Sequence, residues 1–386
     1  MSSWLLAAAV LGAVPMAGGA GASAAERTPA PLAVPSGGTA YWAEMPLETP
    51  NWIVPFDSLQ YFSTVDMQDF QQLMFRPLYW VGAGVKPVVN PSYSLADPPV
   101  LSNGGKSVTI TLKDYKWSDG SPVDAQSVIF EVNMIRAEKN AWGMYDPGEF
   151  PDNVVSVTAA SATAGKVTFN MNAAYNADWL TLNQLDALTP MPLAWDIDHL
   201  VHGKPAPAGS GGCSSLTWDA TTKRACTAVW KFLTDDNGAS PDPRESGDLA
   251  TYAANPLWQV VDGPWRLAAF SSAGRAEFVP NKHYSGPAPH LAKFVEVPTE
   301  TYNEEVSLLR QDKLTVGYLP DASAPAAPAP GQVGPNPSYL QGKYDIALQP
   351  SWSVNYYAIN FSSKGDGGVA GHIISQLYFR QALQML

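Results

Sequence analysis

The chain is 386 residues long with a net charge of −12 at pH 7, and 46% of it is hydrophobic but only 15% charged. That is enough for a sizeable core and more than one domain, and far from the polar, highly charged profile of a disordered chain. The acidic balance argues against a nucleic-acid partner, which clustered Lys and Arg would have to hold, and gives no attraction to an anionic membrane.

No charged side chain precedes Glu26, and Trp4 to Gly19 is an apolar run broken by Pro15. Ala22-Ser23-Ala24 then offers the small-x-small pattern that a signal peptidase cuts, so residues 1–24 read as a secretory signal peptide, although no Lys or Arg marks its start. The alternative, a membrane anchor, needs a longer apolar span. Residues 25–38 are rich in Pro, Ala and Gly and read as a flexible lead-in.

Thr39 to Ala43 predicts a first strand, followed by Glu44 and by a Pro-interrupted loop, Pro46 to Pro55, that carries Asn51 and Trp52. The spacing of Val65, Met67, Phe70, Leu73 and Met74 predicts a helix over Thr64 to Phe75. Val108, Ile110 and Leu112 alternate with polar residues, so Ser107 to Leu112 predicts a strand with one buried face. A helix starts at Ala125, capped by Asp124, with Val128, Ile129, Val132 and Ile135 as its buried stripe. A Gly/Pro-rich loop with Trp142 and Tyr145 follows. Val154 to Val157, Lys166 to Met171, Ala276 to Val279, Phe294 to Val297 and Tyr356 to Phe361 predict further strands. Gly371 to Leu386 predicts a last helix that meets the final residue without a stop signal, so the chain reads as cut in mid-helix.

The only two cysteines are Cys213 and Cys226, and in an exported chain they predict a disulfide. No H-E-x-x-H, G-x-S-x-G or phosphate-loop pattern occurs. His199 and His202 could share a helix face, but nothing in the pattern completes a metal site. Asp235, Asp236, Asn237, Gly238 and Asp242 match a calcium loop in composition alone. These residues predict neither an enzyme nor a cofactor.

Three blocks remain. The first is the strand segment Asn103 to Lys113, then Trp117-Ser-Asp-Gly-Ser-Pro-Val-Asp-Ala-Gln-Ser-Val128. The second is Val261-Asp-Gly-Pro-Trp-Arg-Leu267 with Asn281-Lys-His-Tyr-Ser-Gly286. The third is Tyr356 to Phe361 with Phe379-Arg-Gln-Ala-Leu383. In this order they resemble the extracytoplasmic solute-binding proteins of peptide-type ABC transporters, the oligopeptide/dipeptide-binding family 5. Between the second and third blocks, Glu304 to Tyr318 resembles the family step L-x-x-G-x-[IV]-D, with Asp312 or Lys313 where the glycine stands and Gly317 where the acid stands. Asp262 replaces the glycine that usually precedes Gly263-Pro264.

The resemblance implies an α/β, two-lobe, periplasmic-binding-protein-like fold of type II, large peptide-binding subtype, with the second lobe largely missing. It places lobe one at residues 39–305, with a sub-domain at about 83–200, and the start of lobe two at 306–386. It implies a monomer outside the membrane that captures a peptide or other small solute by lobe closure and docks on ABC permease transmembrane subunits, with no cofactor and no nucleic acid. Glu44, Asn51, Trp52, Trp142, Tyr145, Trp265, Asn355 and Tyr356, in loops after strands, are the candidate ligand-binding residues. The ordinary alternatives are a solvated carboxylate for Glu44 and core packing for Trp52, Trp142, Tyr145 and Trp265. A secreted carbohydrate-binding protein or glycoside hydrolase is the competing reading, favoured by aromatic richness and acidity.

Overall fold

A computed structural model of the chain describes residues 36–46, 54–56, 58–59, 71–83, 86–196, 200–201, 204–205, 212–234, 253–254, 256–271, 273–318, 333–334, 340, 343–347 and 369–383. The principal strands are β1 (Thr39–Ala43), β2 (Val81–Ala83), β3 (Lys86–Val89), β4 (Val100–Ser102), β5 (Ser107–Thr111), β6 (Val154–Thr158), β7 (Lys166–Met171), β8 (Trp265–Phe270), β9 (Ala276–Pro280) and β10 (Lys293–Val297). The longer helices are α1 (Ala125–Ala137), α2 (Ala220–Thr234), α3 (Tyr302–Arg310), α4 (Val369–Ile374) and α5 (Leu377–Leu383).

Two four-stranded sheets organise these elements. The first has the order β1-β10-β9-β8, with β1 parallel to β10 in the register Thr39 to Lys293 through Ala43 to Val297, and the other pairs antiparallel. The second has the order β4-β5-β7-β6 and is antiparallel throughout. The alternation read from the sequence sets its faces. Val108 pairs with Phe169 and Ile110 with Val167 on the buried side, while the Thr109 and Thr168 hydroxyls meet at 3.0 Å on the other.

Asp124 caps α1 as predicted: its Oδ1 accepts from the Gln126 N–H at 3.0 Å and the Ser127 N–H at 3.3 Å. The helix itself differs from the one-faced stripe expected. Gln126, Ser127, Glu131 and Asn133 are buried along with Val128, Ile129, Val132 and Ile135. The cause is α2, which packs on α1 together with the loop before it. Polar residues on that side find protein partners: Gln126 Nε2 donates to Ser214 Oγ at 3.0 Å, and Asn133 Nδ2 donates to the carbonyls of Cys213 and Ser215, both at 2.9 Å. The Cys213–Cys226 disulfide ties this loop to α2 as the sequence predicts. Asp196 completes the clamp, accepting from the Cys213 N–H at 3.2 Å and the Ser214 N–H at 2.7 Å.

The first two sequence blocks meet in space. Ser118 N–H donates to the Val261 carbonyl at 2.8 Å, and Val261 N–H returns to Ser118 Oγ at 3.1 Å. Asn281 Nδ2 donates to the carbonyls of Val261 at 3.3 Å and Gly263 at 2.9 Å, so the two halves of the second block interlock. Gly263 N–H reaches the Met74 carbonyl at 2.7 Å, and a Cβ at Gly263 would run into the Met74 backbone, which is why this position needs glycine.

Of the predicted helix at Thr64 to Phe75, Gln72–Met74 is helical and Phe75 is already extended, one residue short of the expected end, while residues 64–70 lie outside the described residues, as does the predicted strand Tyr356 to Phe361. The last predicted helix is two helices, α4 and α5, broken at Ser375–Gln376. At the break Ser375 Oγ donates to the His372 carbonyl at 2.7 Å, a local bond that competes with the helical ladder.

Candidate functional site

In an α/β sheet the space beyond the carboxyl ends of parallel strands is open to a ligand, because side chains and loops rather than further sheet close it. Here β1 and β10 run parallel and end together at Ala43 and Val297. Glu44 follows at once: its N–H donates to the Val297 carbonyl at 3.0 Å, and its carbonyl accepts from Thr299 Oγ1 at 3.2 Å. Only 4% of Glu44 is exposed.

A third segment flanks β1 on its other side. Tyr41 N–H donates to Thr315 Oγ1 at 3.0 Å, Val316 N–H to the Tyr41 carbonyl at 3.0 Å, and Ala43 N–H to the Val316 carbonyl at 3.1 Å. The turn that delivers this segment has its left-handed residue at Asp312, with φ 57°. The glycine position of the L-x-x-G-x-[IV]-D step is therefore Asp312, which puts Leu314 at the aliphatic position and Thr315, rather than Gly317, at the acidic one. Its hydroxyl is the group that caps Tyr41 N–H.

Aromatic side chains cover one face of this sheet. Trp42 stands edge-on to Phe294 with ring centroids 5.5 Å apart, Trp265 lies 5.9 Å and Phe278 6.4 Å from Phe294, and Tyr318 lies 6.4 Å from Trp42. The other face is aliphatic, with Ala43, Leu309, Leu314 and Leu340 packed together. Glu305 on α3 is fully buried, and its carboxylate accepts from the Tyr318 N–H. Burial pushes Glu305 up to about 7, with the Tyr318 N–H pulling it back.

A second buried polar group lies where the second block meets the chain at residue 76. Arg76, 4% exposed, stacks its guanidinium over Trp80, Tyr93 and Tyr284 at 4.8, 5.4 and 5.4 Å and donates from Nε to the Tyr284 hydroxyl at 3.1 Å. Asp262 Oδ1 accepts from the Arg76 N–H at 3.1 Å. Complete burial pushes Asp262 up to about 8, against the pull of Arg76. This cluster joins the first sheet to the chain that enters the second, an architectural role.

Of the predicted site residues, Glu44 and Trp265 belong to the first sheet and its aromatic side, Glu44 at the strand end and Trp265 at the start of β8, where it is 8% exposed. Trp142 and Tyr145 sit elsewhere. Trp142 is 3% exposed and edge-on to Phe150 at 5.7 Å. Tyr145 is half-buried, donates its hydroxyl to Asp152 Oδ2 at 2.7 Å and has the Lys139 ammonium 5.0 Å from its ring centre. Asn51, Trp52, Asn355 and Tyr356 lie outside the described residues. Sequence reasoning missed Trp42 and Tyr318. Strand periodicity held the signal for Trp42, since it lies two residues before Glu44 and so on the same side of an extended chain; nothing local marked Tyr318.

Among the described residues no three His, Cys, Asp or Glu side chains come together in a way that could hold a metal ion. Among the same residues no helix is long and apolar enough to cross a membrane.

The family model described as bacterial extracellular solute-binding proteins, family 5, middle matches residues 90–386. The chain belongs to this family. With membership comes the α/β, periplasmic-binding-protein-like fold class. Solved structures similar to this family 5 chain include the ABC transporter substrate-binding protein CtaP from Listeria monocytogenes, at 18% identity and TM-score 0.48, covering 75% of this chain and 46% of that one. The oligopeptide-binding protein AppA from Bacillus subtilis, solved with a nonapeptide, is similar at 15% identity and TM-score 0.49, with 75% and 45% covered. The periplasmic binding protein DppA from Helicobacter pylori, solved with the peptide STSA, is similar at 15% identity and TM-score 0.45, with 74% and 48% covered. The chain thus spans less than half the length of these solved relatives. No curated protein matches it.

Proposed function

We propose that this chain is the substrate-binding component of an ABC importer, which captures peptides or similar solutes outside the membrane and hands them to transmembrane permease subunits. The observation that carries the reading is the family 5 match over residues 90–386. Such a protein works by binding alone: a solute that contacts both lobes shifts the open–closed balance, and the closed form is what the permease engages. The reading takes residues 1–24 as a signal peptide, 25–38 as a lead-in, 39–305 as lobe one and 306–386 as the start of lobe two, in a monomer.

Within it the solute lies past the carboxyl ends of β1 and β10. Glu44 supplies negative charge for a peptide amino group, and the half-buried Trp42 and Tyr318 offer apolar surface to side chains, with Trp265 packed against Phe294 in the same aromatic face. The reading also takes Asn51, Trp52, Trp142, Tyr145, Asn355 and Tyr356 as ligand residues, Trp142 and Tyr145 from a part of the chain away from the β1–β10 end.

Thermal-shift screening of the exported protein against pools of short peptides, followed by calorimetry on the hits, tests the proposal. Binding to the folded state alone raises the melting temperature, and Glu44→Gln is expected to weaken a hit by roughly 10- to 100-fold, the range for one charge-assisted hydrogen bond. If no peptide pool shifts the melting temperature while glycosides are hydrolysed, the transport reading fails and the hydrolase takes its place.

A further inference from the structure

The chain leaves the first sheet through Val316, Gly317 and Tyr318, and what holds it there is a side chain of α3. Glu305 is fully buried, one carboxylate oxygen accepts from the Tyr318 N–H, and the other has no hydrogen-bond partner among the described residues. A carboxylate in that position is costly unless it does something that an apolar residue could not. Gly317 makes room for it: a Cβ there would lie 2.7 Å from Glu305 Oε1 and 3.2 Å from a Leu309 methyl. Glycine and glutamate are thus fitted to each other, although Gly317 shows no left-handed backbone that would demand glycine on its own account.

The consequence reaches an aromatic pair. Val316 N–H is tied to the Tyr41 carbonyl, a sheet hydrogen bond that does not involve Glu305. Beyond it, the Glu305 carboxylate fixes the Tyr318 backbone, and the Tyr318 ring lies against Trp42, two residues before Glu44. From this geometry we propose that Glu305 is a positioning residue: through Gly317 and the Tyr318 N–H it sets where the Tyr318 ring meets Trp42 at the proposed solute edge.

The solute edge rests on the transport reading, but the test needs no ligand, so its failure is separable from failure of that reading. Amide hydrogen exchange is followed residue by residue in the wild type, Glu305→Gln, Glu305→Leu and Gly317→Ala. Glu305→Gln keeps a carbonyl acceptor and is expected to keep Tyr318 N–H protected. Glu305→Leu removes the acceptor, and Gly317→Ala displaces it. Both are expected to speed Tyr318 exchange by about tenfold, the factor for one ordinary hydrogen bond, while Val316 N–H stays as slow as in the wild type. If Glu305→Leu does not fold, Gly317→Ala against Glu305→Gln decides. Unchanged Tyr318 protection in the acceptor-loss variants overturns the proposal. So does equal loss at Val316 and Tyr318, and so does failure of Glu305→Gln to rescue.

Discussion

Replacing Asp262 by Asn should make the protein more stable at pH 8 than the wild type. The side chain is fully buried, its Oδ1 takes the Arg76 N–H at 3.1 Å, and its Oδ2 has no hydrogen-bond partner among the described residues. Burial raises the carboxyl from 3.8 to about 8, with the Arg76 guanidinium only partly countering it. A folded-state value above the unfolded one means that the group's stabilising contribution is complete below about pH 4 and is lost as the pH rises through about 8. Between pH 5 and pH 8 the loss is about 4 kcal/mol, at ~1.36 kcal/mol for each pH unit in which only the folded form holds the proton. This is an upper figure, because Arg76 and water relax towards a buried charge. It is still large against a total stability of about 5–15 kcal/mol. Asn copies the neutral carboxyl in shape and keeps the acceptor for Arg76 N–H. Urea unfolding followed by tryptophan fluorescence should therefore put Asp262→Asn about 1–2 kcal/mol ahead of the wild type at pH 5, already above the carboxyl's unfolded value, and roughly 4 kcal/mol further ahead at pH 8. Every other titrating group cancels in that difference. The same difference at both pH values, or a variant less stable at pH 8, would refute the reasoning.

Asp262→Gly removes the acceptor and leaves Arg76 N–H buried and unpaired; chemical denaturation should show a loss of about 1–3 kcal/mol. Breaking the Cys213–Cys226 bridge with Cys213→Ser and Cys226→Ser together should lower stability by roughly 2–4 kcal/mol, and adding reductant to the wild type should bring it to the same melting temperature. Gly263→Ala forces a methyl into the Met74 backbone and should cost about 1–3 kcal/mol, whereas Gly165→Ala, with open space around it, should cost far less in the same denaturation series. Asp124→Ala should lose about 1 kcal/mol in the same assay, because Gln126 and Ser127 lose their side-chain acceptor.

The transport reading drew on motif order more than on any single residue, and the fold explains why that order is informative. The Asp119-Gly120 turn segment and the Asp262-Gly263-Pro264 segment are far apart in the chain, yet Ser118 and Val261 exchange hydrogen bonds and Asn281 closes the same knot. Conversely, the loop criterion that selected Trp142 and Trp265 judged tertiary burial badly. Both side chains are packed, because an aromatic beside a Gly/Pro turn can fold inward as readily as outward, and nothing within a few residues of either decides the direction.

By itself, the sequence determined the local elements. The alternation at Ser107 to Thr111 and Lys166 to Met171 set strand faces, Asp124 set a helix start, and the two nearby cysteines set a disulfide. Each depends on neighbours within one or two turns, so a linear reading contains the whole cause. Only the tertiary structure decided that β1 lies parallel to β10 with Glu44 at their common end, that α1 is buried on its polar side as well, and that Glu305 reaches Gly317 and Tyr318. Those outcomes depend on which distant segment removes a given face from water, and that information is spread over the whole chain.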